Sequence, residues 1–596
     1  MNKLFDMCNT EENNNKRAII SRVENINDFF KLPILYNSDK MAVDDHIITD
    51  LELIKTVNAE DTALYNYAFQ PKTAFGNKIV EQFAKYYTTD VFFLKDSQNL
   101  FKTYAPVDGR VFSPDYTNIM RIWDEIKNDT GFKEKYHYID WPTWEYLNKS
   151  EVFLQIMSMY NLASPVLSLL VPVVILVIPF FIIKMKGLAL TISEYCEVLK
   201  TIASNHAIGK IFTKFNTVNT SEKVYMLLSA GFYLFSIYQN ILTCIRFQTN
   251  MIKIHSYLND IKQYIDHTVQ NMRNLLKYSD NLTSYSEFNT NMLNNIHQLS
   301  EFKTKLDIIT PYKLSPNKIG NLGHILKCFY ELYDNKTCED CLMYSFGFNG
   351  YIDAVEGFIE NMKSDSIHCV KFVANKRRNR LVFKNSYYPA LINRDPVKNT
   401  CNLKKNMIVT GPNASGKTTI LKTTLVNVII TQQTGCGFYS AGSSFSPYKY
   451  IHCYLNIPDT SGRDSLFQAE SRRCKNILDS IKDNNKDSHF CVFDELYSGT
   501  NPEEAVNSAS AFMSYLIKRD KVTCVLTTHF NKLCENLEKN ERIKNYHMHC
   551  VGETNITYTY KLKEGISNVH GGIKILRDMN YPQEIIDNAN ALHDNI

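Results

Sequence analysis

Hydrophobic and polar positions divide this chain into four parts. Apolar residues recur at helical spacing over residues 1–160, which predicts a mostly α-helical region. Residues 161–245 hold two long apolar stretches, and residues 246–368 return to an amphipathic helical pattern. Residues 369–596 alternate short apolar runs with helical segments, a pattern typical of an α/β domain. The pattern therefore predicts a C-terminal α/β domain joined to a mostly helical region.

The two apolar stretches are the least ordinary feature of the pattern. Residues 162–183 and 224–245 carry no charge, and about 22 residues suffice for a helix to span a bilayer. The first contains Pro165, Pro172 and Pro179, which predict a kinked or re-entrant helix. We therefore expect both stretches to be candidate membrane segments.

An alternative stays open for the second stretch, which contains Gln239 and Asn240 and is also compatible with a buried core helix. Topology adds a conflict, since two full spans and a cytosolic C-terminal domain would place the intervening lysines outside, against the positive-inside tendency. These lysines are Lys184, Lys186, Lys200, Lys210, Lys214 and Lys223. A re-entrant first segment would remove the conflict.

Two local patterns follow in the chain. Residues 246–310 predict one extended amphipathic helix, a lever or half of a coiled pair, because apolar residues recur every three or four positions. Residues 369–384 predict two short strands around a turn at 375–379. The turn is basic, with Lys376, Arg377, Arg378 and Arg380. A solvated hairpin tip is the simpler interpretation of these charges, and contact with phosphates is the alternative.

Composition limits the class of protein only loosely. With 44% hydrophobic and 21% charged residues among 596, the chain is ordinary globular protein. A formal net charge of +4 is small, so nucleic acid would have to meet a local basic patch. The fifteen cysteines are scattered and no secretory signal is evident, which favours reduced thiols in a cytosolic setting. Cys338 and Cys341 form a C-x-x-C, but the absence of a second pair at ligand spacing disfavours zinc.

The strongest chemical signal lies after residue 405. Residues 407–410 form an apolar run of strand type, residues 411–418 read G-x-x-x-x-G-K-T, and an apolar-faced helix follows from Ile420. Such a loop turns backbone N–H groups toward phosphate oxygens, the lysine bridges the phosphates, and the threonine hydroxyl is a ligand for Mg²⁺. The predicted nucleotide-binding residues are Gly411, Pro412, Asn413, Ala414, Ser415, Gly416, Lys417, Thr418 and Thr419.

Two further segments carry candidate catalytic groups. The apolar run 490–493 precedes Asp494 and Glu495, which places both carboxylates at the carboxyl end of a strand, where α/β sheets bind ligands. Asp494 suits the metal, and Glu495 suits the orientation and deprotonation of the attacking water. A second run, 522–526, leads to His529, which we expect to sense the γ-phosphate.

These segments and three others resemble the MutS family. The similar segments are Thr-Gly-Pro-Asn at 410–413, Ser-x-Phe-x-x-Glu at Ser465, Phe467 and Glu470, and Asp-Glu-x-x-x-Gly-Thr ending at Gly499 and Thr500. A C-terminal run places Gly565, Ser567, His570, Gly571, Pro582, Ile586 and Ala589 at the family's positions. Asp50 to Leu53, Thr73 and Gly76 match the opening of the MutS core domain, where residues 41–100 read as helices broken at Gln70-Pro71 and Gly76.

The resemblance implies an ABC-type P-loop ATPase domain at the C-terminus, a helical core and lever domain, and ATP and Mg²⁺ as cofactors. It implies a dimer, of two copies or with a MutS-like partner, in which Ser465 of one subunit completes the phosphate site of the other. It implies DNA as a partner. We also expect the family's mismatch-reading domain to be missing, because the chain begins where the core domain begins.

Two hypotheses follow. The first is a dimeric, ATP-gated clamp on mismatched or branched DNA, with residues 162–183 and 224–245 as a candidate membrane tether. The alternative is a membrane-anchored mechanochemical ATPase that acts on a protein or lipid partner without DNA. Charges on the lever do not decide between them, because Lys253, Lys262 and Arg273 alternate with Asp260 and Asp266.

Overall fold

The computed structural model describes residues 26–593 with short gaps. The gaps are residues 59, 108–113, 187–190, 206–218, 310–318, 374–379, 456–464, 553–556, 568, 570–575 and 578. His570, Gly571 and the basic residues 376–378 of the predicted hairpin tip lie outside the described residues.

Helices dominate the first two thirds of the chain. In chain order they are α1 Ile26–Phe29, α2 Asp45–Asp50, α3 Leu64–Phe69, α4 Ala74–Phe83, α5 Val91–Thr103, α6 Tyr116–Asn128, α7 Phe132–Lys135, α8 Glu151–Met185, α9 Ile192–Asn205, α10 Thr220–Ser279, α11 Ser286–Asp307, α12 Leu322–Asp334, α13 Lys336–Lys363, α14 Lys417–Thr434, α15 Leu466–Asp483, α16 Pro502–Ile517, α17 Asn531–Glu538 and α18 Gln583–His593. Short 3-10 helices lie at Pro33–Tyr36, Glu145–Lys149, Thr283–Tyr285 and Pro389–Arg394.

Strands concentrate in the last third. They are β1 Lys40–Ala42, β2 Tyr86–Thr88, β3 His368–Cys369, β4 Lys371–Phe372, β5 Leu381–Ser386, β6 Asn399–Asn402, β7 Asn406–Thr410, β8 Cys436–Gly437, β9 Ser444–Phe445, β10 Tyr450–Tyr454, β11 His489–Asp494, β12 Val522–Thr528, β13 Ile543–Val551 and β14 Thr557–Glu564. The predicted α/β domain and the mostly helical remainder are both present.

The described chain forms two compact units. The described residues within 110–269 and 296–342 form the first, helical unit, and the described residues within 20–109, 270–295 and 343–596 form the second unit. The second unit therefore joins the C-terminal α/β fold to helices from the start of the chain.

A six-stranded sheet is the centre of the second unit. Its strand order is β10-β11-β12-β7-β13-β14, and all neighbours pair in parallel except β13 and β14. Alternate residues of its strands, including Phe493 and Leu526, join α15, α16 and α17 in one buried cluster. Helix α14 contacts β11 and β12 but contributes nothing to that cluster, so it covers the other face. In register, Asp494 lies beside Thr527, and Thr410 beside Thr528.

Helix α14 is buried nearly all round rather than on one apolar face as the sequence predicts. Its polar residues are hydrogen-bonded inside: Asn427 Nδ2 donates to Thr423 O at 2.9 Å, and Gln433 Nε2 donates to Phe83 O at 2.6 Å. The Tyr65 hydroxyl donates to Gln433 Oε1 at 2.6 Å. The side-chain amides therefore anchor the end of α14 to the N-terminal helices.

The predicted helix break at Gly76 is wrong, whereas the break at Gln70 is confirmed. Gln70 ends α3 with a left-handed φ of 42°. Gly76 lies inside α4, whose N-cap is Thr73, and a Cβ on Gly76 would approach Asp353 Oδ2 to 2.2 Å. That carboxylate accepts from Thr73 N and Thr73 Oγ1, both at 2.8 Å. Gly76 therefore allows α13 to approach α4 closely, because a side chain at this position would clash with Asp353.

The predicted hairpin at 369–384 is also wrong in its pairing. Strands β4 and β5 both exist, but the sheet order is β4-β9-β5-β6, so β9 lies between them. Strand β9 pairs in parallel with β4 and antiparallel with β5. A segment more than sixty residues downstream thus replaces the expected local pairing.

The predicted single lever helix over 246–310 is wrong at both ends. Helix α10 begins at Thr220 and joins the second apolar stretch to the amphipathic segment without interruption. It ends at Ser279, and a 3-10 turn at Thr283–Tyr285 precedes α11. Leu282 and Tyr285 are buried at this turn, so packing rather than a proline or glycine sets the break.

The helical unit contains a charged cluster on α6 and α10. Glu125 accepts from Lys253 Nζ and from the Tyr257 hydroxyl, each at 2.5 Å, and from the Tyr136 hydroxyl at 2.8 Å. Burial alone would raise the pKa of Glu125, but the hydrogen bonds from Lys253 and Tyr257 lower it to about 2. This carboxylate is therefore an ionised anchor between the two helices.

The two apolar stretches form an antiparallel helix pair within this unit. The Tyr233 hydroxyl of α10 donates to Ser168 O of α8 at 3.4 Å, and the Cys244 thiol lies 3.6 Å from Leu162 O. Helix α8 runs from Glu151 to Met185 as one helix, so of the two predicted alternatives, a kinked or a re-entrant helix, the re-entrant one is wrong. Both helices are long and apolar enough to cross a membrane, and their apolar windows are only 22% and 6% buried.

Candidate functional site

Residues 411–416 connect strand β7 to helix α14 at the carboxyl edge of the sheet. Strand β7 is buried along its whole length, and α14 begins at Lys417. Gly411 has φ 151°, Ala414 has φ 63° and Gly416 has φ 99°. These left-handed and extended turns let consecutive N–H groups point into one concavity at the helix N-terminus, where an anion is favoured.

The loop fits a phosphate group by two further observations. The Ser415 hydroxyl is buried with no hydrogen-bond partner among the described residues, so a polar atom there still has bonding capacity. A Cβ on Gly411 would lie 2.9 Å from that hydroxyl, and a Cβ on Gly416 would lie 3.3 Å from Tyr560 Cδ1. Glycine at both positions keeps the concavity open.

Lys417 is the buried cation of this loop. Its side chain is 5% exposed, and its ammonium donates to Pro412 O at 3.2 Å and lies 3.5 Å from Asn413 Oδ1. It also lies 3.6 Å from Glu495 Oε1. A buried ammonium with only loop carbonyls and one carboxylate is suited to phosphate oxygens.

Thr418 and Asp494 place two oxygen donors together. The Thr418 hydroxyl donates to Asp494 Oδ2 at 2.9 Å, and the Thr527 hydroxyl donates to Asp494 Oδ1. Hydroxyl and carboxylate oxygens are the ligands that Mg²⁺ prefers beside a phosphate. The donor set therefore fits Mg²⁺, with Thr527 orienting the carboxylate.

Glu495 follows Asp494 in a strained backbone conformation. Its φ is 50°, which is unusual for a residue with a side chain, and its N–H donates to Thr527 O at 3.0 Å. His529 Nδ1 lies 3.4 Å from Glu495 Oε1. The hydrogen bond with His529 holds the pKa of the Glu495 carboxyl below its usual range; burial opposes this shift and the Lys417 charge adds to it. Glu495 is therefore ionised and able to accept a proton.

A buried carboxylate supports the loop after Glu495. Glu470 of α15 is 3% exposed and accepts from the Ser498 hydroxyl at 3.1 Å and from Gly499 N at 3.3 Å. A Cβ on Gly499 would meet Leu466 Cγ at 2.7 Å, so α15 packs directly on this loop. The start of α15 and the catalytic loop are thus one packed assembly.

Ser465 caps that helix. Its side chain accepts from Gln468 N at 3.3 Å, and Gln468 Oε1 accepts from Ser465 N at 3.0 Å, forming a capping box. The side chain and the N–H of Ser465 both bond to Gln468, its carbonyl accepts from Ala469 N at 3.0 Å, and none of these hydrogen bonds goes to the phosphate loop. Within one chain Ser465 is therefore a helix cap at an exposed position.

A cavity of about 390 Å³ opens beside the phosphate loop. Gly416 and Thr419 line it on the loop side, and Tyr388, Met548 and Tyr560 contribute to its walls. Its size is within the range of small-molecule pockets, about 300–1,000 Å³. The mostly apolar and aromatic lining suits a nucleobase with its phosphates on the loop.

The structure brings most of the predicted site residues to one edge of the sheet. Gly411 to Thr419, Asp494, Glu495 and His529 converge there, whereas Ser465 makes no described contact with them. Sequence reasoning missed the orienting role of Thr527 and the whole cavity. The adjacent tyrosines 387 and 388 before Pro389 were the available signal for the cavity, but they lie outside any phosphate motif.

Comparison with known proteins agrees with this geometry. Residues 407–596 match the family model of MutS domain V, a P-loop ATPase domain. The DNA mismatch repair protein Msh3 of Dictyostelium discoideum is 26% identical over 261 residues, which are 40% of this chain and 17% of that protein. The DNA mismatch repair protein MutS of Persephonella marina is 27% identical over 213 residues, 35% of this chain and 24% of that protein.

A third relative is the Endonuclease MutS2 of Staphylococcus epidermidis, 28% identical over 221 residues, which are 36% of this chain and 28% of that protein. The matched part of the chain thus spans only 17% to 28% of the length of these relatives.

Proposed function

We propose that this chain binds ATP with Mg²⁺ and hydrolyses it, since residues 407–596 match the family model of MutS domain V. The observation that carries the proposal is the convergence of Lys417, Thr418, Asp494, Glu495 and His529 at the end of the parallel sheet. A phosphate loop alone binds nucleotides, but an ionised carboxylate beside the loop lysine adds a group that activates water.

Each residue has a distinct part in this proposal. Lys417 and the N–H groups of residues 411–416 bind the β- and γ-phosphates, and the cavity of Tyr388 and Tyr560 holds the base. Glu495 orients the attacking water and takes its proton. His529 holds the Glu495 carboxylate and faces the γ-phosphate. Thr418 and Asp494 would hold Mg²⁺, which when bound neutralises charge that develops on the phosphates.

ATP hydrolysis by the purified full chain tests the proposal, with Asp494→Asn and Thr418→Val as variants that each remove one oxygen ligand. Both variants should lose Mg²⁺-dependent turnover while remaining folded. Undiminished turnover in both would remove the metal site from this edge of the sheet. Lys475→Gln, on the exposed face of α15, is a control that should keep full activity.

We further propose that the ATPase works as a dimer and controls a clamp on mismatched or branched DNA. Support comes from the relatives named for DNA mismatch repair and from the exposed position of Ser465 at the start of α15. A phosphate loop leaves one side of the γ-phosphate open, and the helix N-terminus of a second copy supplies the missing dipole there. The partner is a second copy of this chain or a MutS-like protein.

Binding of homoduplex, mismatched and four-way junction DNA over a range of salt concentrations tests the DNA role. We expect affinity to fall steeply with salt, because basic side chains displace counterions from phosphates. We also expect ATP to change the affinity for mismatched or junction DNA. Salt-independent or undetectable binding to all three would favour the second function below.

A membrane-anchored ATPase that acts on a protein or lipid partner is the second candidate function. The observation that favours it is exposure: in α10, Phe232 is 72% exposed and Leu234 is 59% exposed, and in α8 Val166 and Leu169 are each 56% exposed. A core helix of a water-soluble protein would bury such residues. The antiparallel pairing of α8 and α10 has the form of a membrane-inserted hairpin.

Fractionation of the expressed protein tests membrane insertion. The chain should sediment with membranes and need detergent for release, because some twenty exposed apolar residues favour lipid over water. Phe232→Arg combined with Leu169→Arg should shift it toward the soluble fraction. Ile252→Arg, at an exposed apolar position on the polar half of the same helix α10, is the matched control and should leave the chain on the membrane. Full recovery without detergent would overturn the membrane proposal.

A further inference from the structure

Two cysteines face each other just after the C-terminal end of α14, the helix that follows the phosphate loop. Cys369 of β3 and Cys436 of β8 are directly opposite in an antiparallel pair, and their sulfur atoms lie 2.8 Å apart. The next pair along is hydrogen-bonded, since Val370 N donates to Gly435 O at 3.1 Å. The cysteines therefore occupy the non-hydrogen-bonded position, where Cα atoms approach to about 4.5 Å, within the range that a disulfide spans.

The two thiols differ in access and in acidity. Cys436 is fully buried, whereas Cys369 is only half-buried. The hydrogen bond with Cys436 lowers the pKa of the Cys369 thiol; burial opposes this shift and the nearby Lys102 ammonium adds to it. Burial and the neighbouring sulfur raise the pKa of Cys436. Cys369 is thus the more accessible and the more acidic thiol of the pair, and the Cys436 sulfur lies beside it within hydrogen-bond distance.

We propose that Cys369 and Cys436 form a peroxide-sensitive thiol pair that closes to an intramolecular disulfide. The Cys369 thiolate attacks one oxygen of hydrogen peroxide, so that an S–O bond forms, the O–O bond breaks, and the leaving hydroxide takes a proton to become water. The Cys436 sulfur then loses its proton and attacks the Cys369 sulfenic acid. The S–S bond forms, the S–O bond breaks and a second water leaves, so two thiols reduce one peroxide.

The position of the pair gives the disulfide a structural consequence. Gly435 is the C-cap of α14, with φ 76°, and its carbonyl accepts from Gln98 Nε2 of α5 at 2.6 Å. Cys436 follows Gly435 in the chain, so a disulfide between Cys436 and Cys369 would link the C-terminal end of α14 covalently to strand β3. The 67-residue separation of the two cysteines makes this a long closed loop, which stabilises by restricting the unfolded chain.

The chain contains a matched control pair. Cys491 and Cys524 are also side by side, on β11 and β12, but both are fully buried in the sheet. Burial raises the pKa of Cys491 well above its ordinary value, and the neighbouring Cys524 adds to the shift. If proximity were sufficient for oxidation, peroxide would oxidise both cysteine pairs. The proposal predicts oxidation of the Cys369–Cys436 pair only.

The test treats the reduced full chain with hydrogen peroxide, blocks free thiols with N-ethylmaleimide after denaturation, and maps the peptides by mass spectrometry. The expected product links the Cys369 and Cys436 peptides, reverts with dithiothreitol and raises the melting temperature by at least about 3 °C. Cys491 and Cys524 should be recovered alkylated. Recovery of Cys369 and Cys436 as free thiols, or equal oxidation of both pairs, would overturn the proposal.

Two variants separate the steps. In Cys436→Ser, Cys369 should stop at the sulfenic acid and react with dimedone, which the wild-type disulfide does not. In Lys102→Gln, the disulfide should still form but about threefold or more slowly, because the cation that favours the thiolate is gone. A Cys369 in Cys436→Ser that peroxide leaves unmodified would show that Cys369 is not the attacking thiol.

Discussion

The ammonium of Lys417 lies 3.6 Å from the carboxylate of Glu495, so the proposed phosphate-binding residue and the proposed general base share a charge contact. Negative phosphate oxygens at the loop would compete with Glu495 for Lys417. Glu495 would then be released toward the water that it activates. Under the proposed mechanism, nucleotide binding and preparation of the base would thus be coupled through one ion pair.

Lys417→Ala should abolish ATP binding at the loop and should also raise the pKa of Glu495, because its nearby cation is removed. Equilibrium binding of a fluorescent ATP analogue measures the first effect, with a loss of at least about 100-fold in affinity expected for a buried, charge-assisted contact. Lys422→Ala, at a partly exposed position of the same helix, is the control and should bind normally. Wild-type affinity in Lys417→Ala would show that nucleotide binds elsewhere.

Replacement of His529 should change the pH dependence of hydrolysis. The His529 hydrogen bond is the largest cause that lowers the pKa of Glu495, so His529→Asn should raise that pKa. Glu495 must be ionised to accept a proton, and the acidic limb of kcat against pH should therefore move to higher pH in the variant. Turnover measured across the pH range checks this shift. An acidic limb at the same pH in the variant and the wild type would show that His529 does not set the pKa of Glu495.

Ionised Asp50 should lower the free energy of unfolding at neutral pH. Burial raises the pKa of Asp50 from 3.8 to about 6, although Arg473, His46 and Lys422 act in the opposite direction. A folded-state pKa above the unfolded value means that protonated Asp50 stabilises the fold below about pH 4 and that this contribution is lost as pH rises through about 6.

Asp50→Asn should therefore increase the free energy of unfolding at neutral pH by about 1 kcal/mol, after discounting for the partial exposure of the side chain. The gain should shrink as the pH falls toward 4. Urea unfolding at several pH values measures it. Asp45→Asn, at an exposed position of the same helix, should not reproduce the gain. Destabilisation by Asp50→Asn at neutral pH would mean that attraction to the neighbouring cations Arg473, His46 and Lys422 outweighs the effect of burial.

Dimeric completion of the site predicts complementation between two inactive variants. Lys417→Ala removes the phosphate lysine and Ser465→Arg blocks the exposed start of α15. If Ser465 acts in trans, one site of a mixed dimer collects both lesions and the other collects neither, so ATPase activity should partly return on mixing. Failure at every ratio, although the chains exchange, would make the chain a single-subunit ATPase.

Sequence was sufficient where a local segment specifies its own structure. The strand, loop and helix around Lys417, and the strand that delivers Asp494 and Glu495, each follow from residues within one short stretch. The position of the site at the carboxyl edge of the sheet was predictable because the carboxyl ends of parallel strands meet at the same edge.

Sequence was insufficient where distant segments meet. Gly76 lies inside α4 where the carboxylate of Asp353, 280 residues beyond Thr73, approaches closely and accepts from the N–H and the hydroxyl of the N-cap residue Thr73. The base cavity draws on Tyr388, Thr419 and Tyr560, and the Cys369 pair exists only because β3 meets β8. Apart from the adjacent Tyr387 and Tyr388, none of these contacts leaves a periodic or local trace in the chain.

The central claim is that Glu495 activates water for hydrolysis of ATP bound at the loop of Lys417. Single-turnover hydrolysis by Glu495→Gln, with ATP binding measured on the same preparation, tests it most directly. The account predicts wild-type ATP affinity with hydrolysis slower by at least about 100-fold, the loss expected for a general base. Hydrolysis at the wild-type rate in that variant would contradict the account.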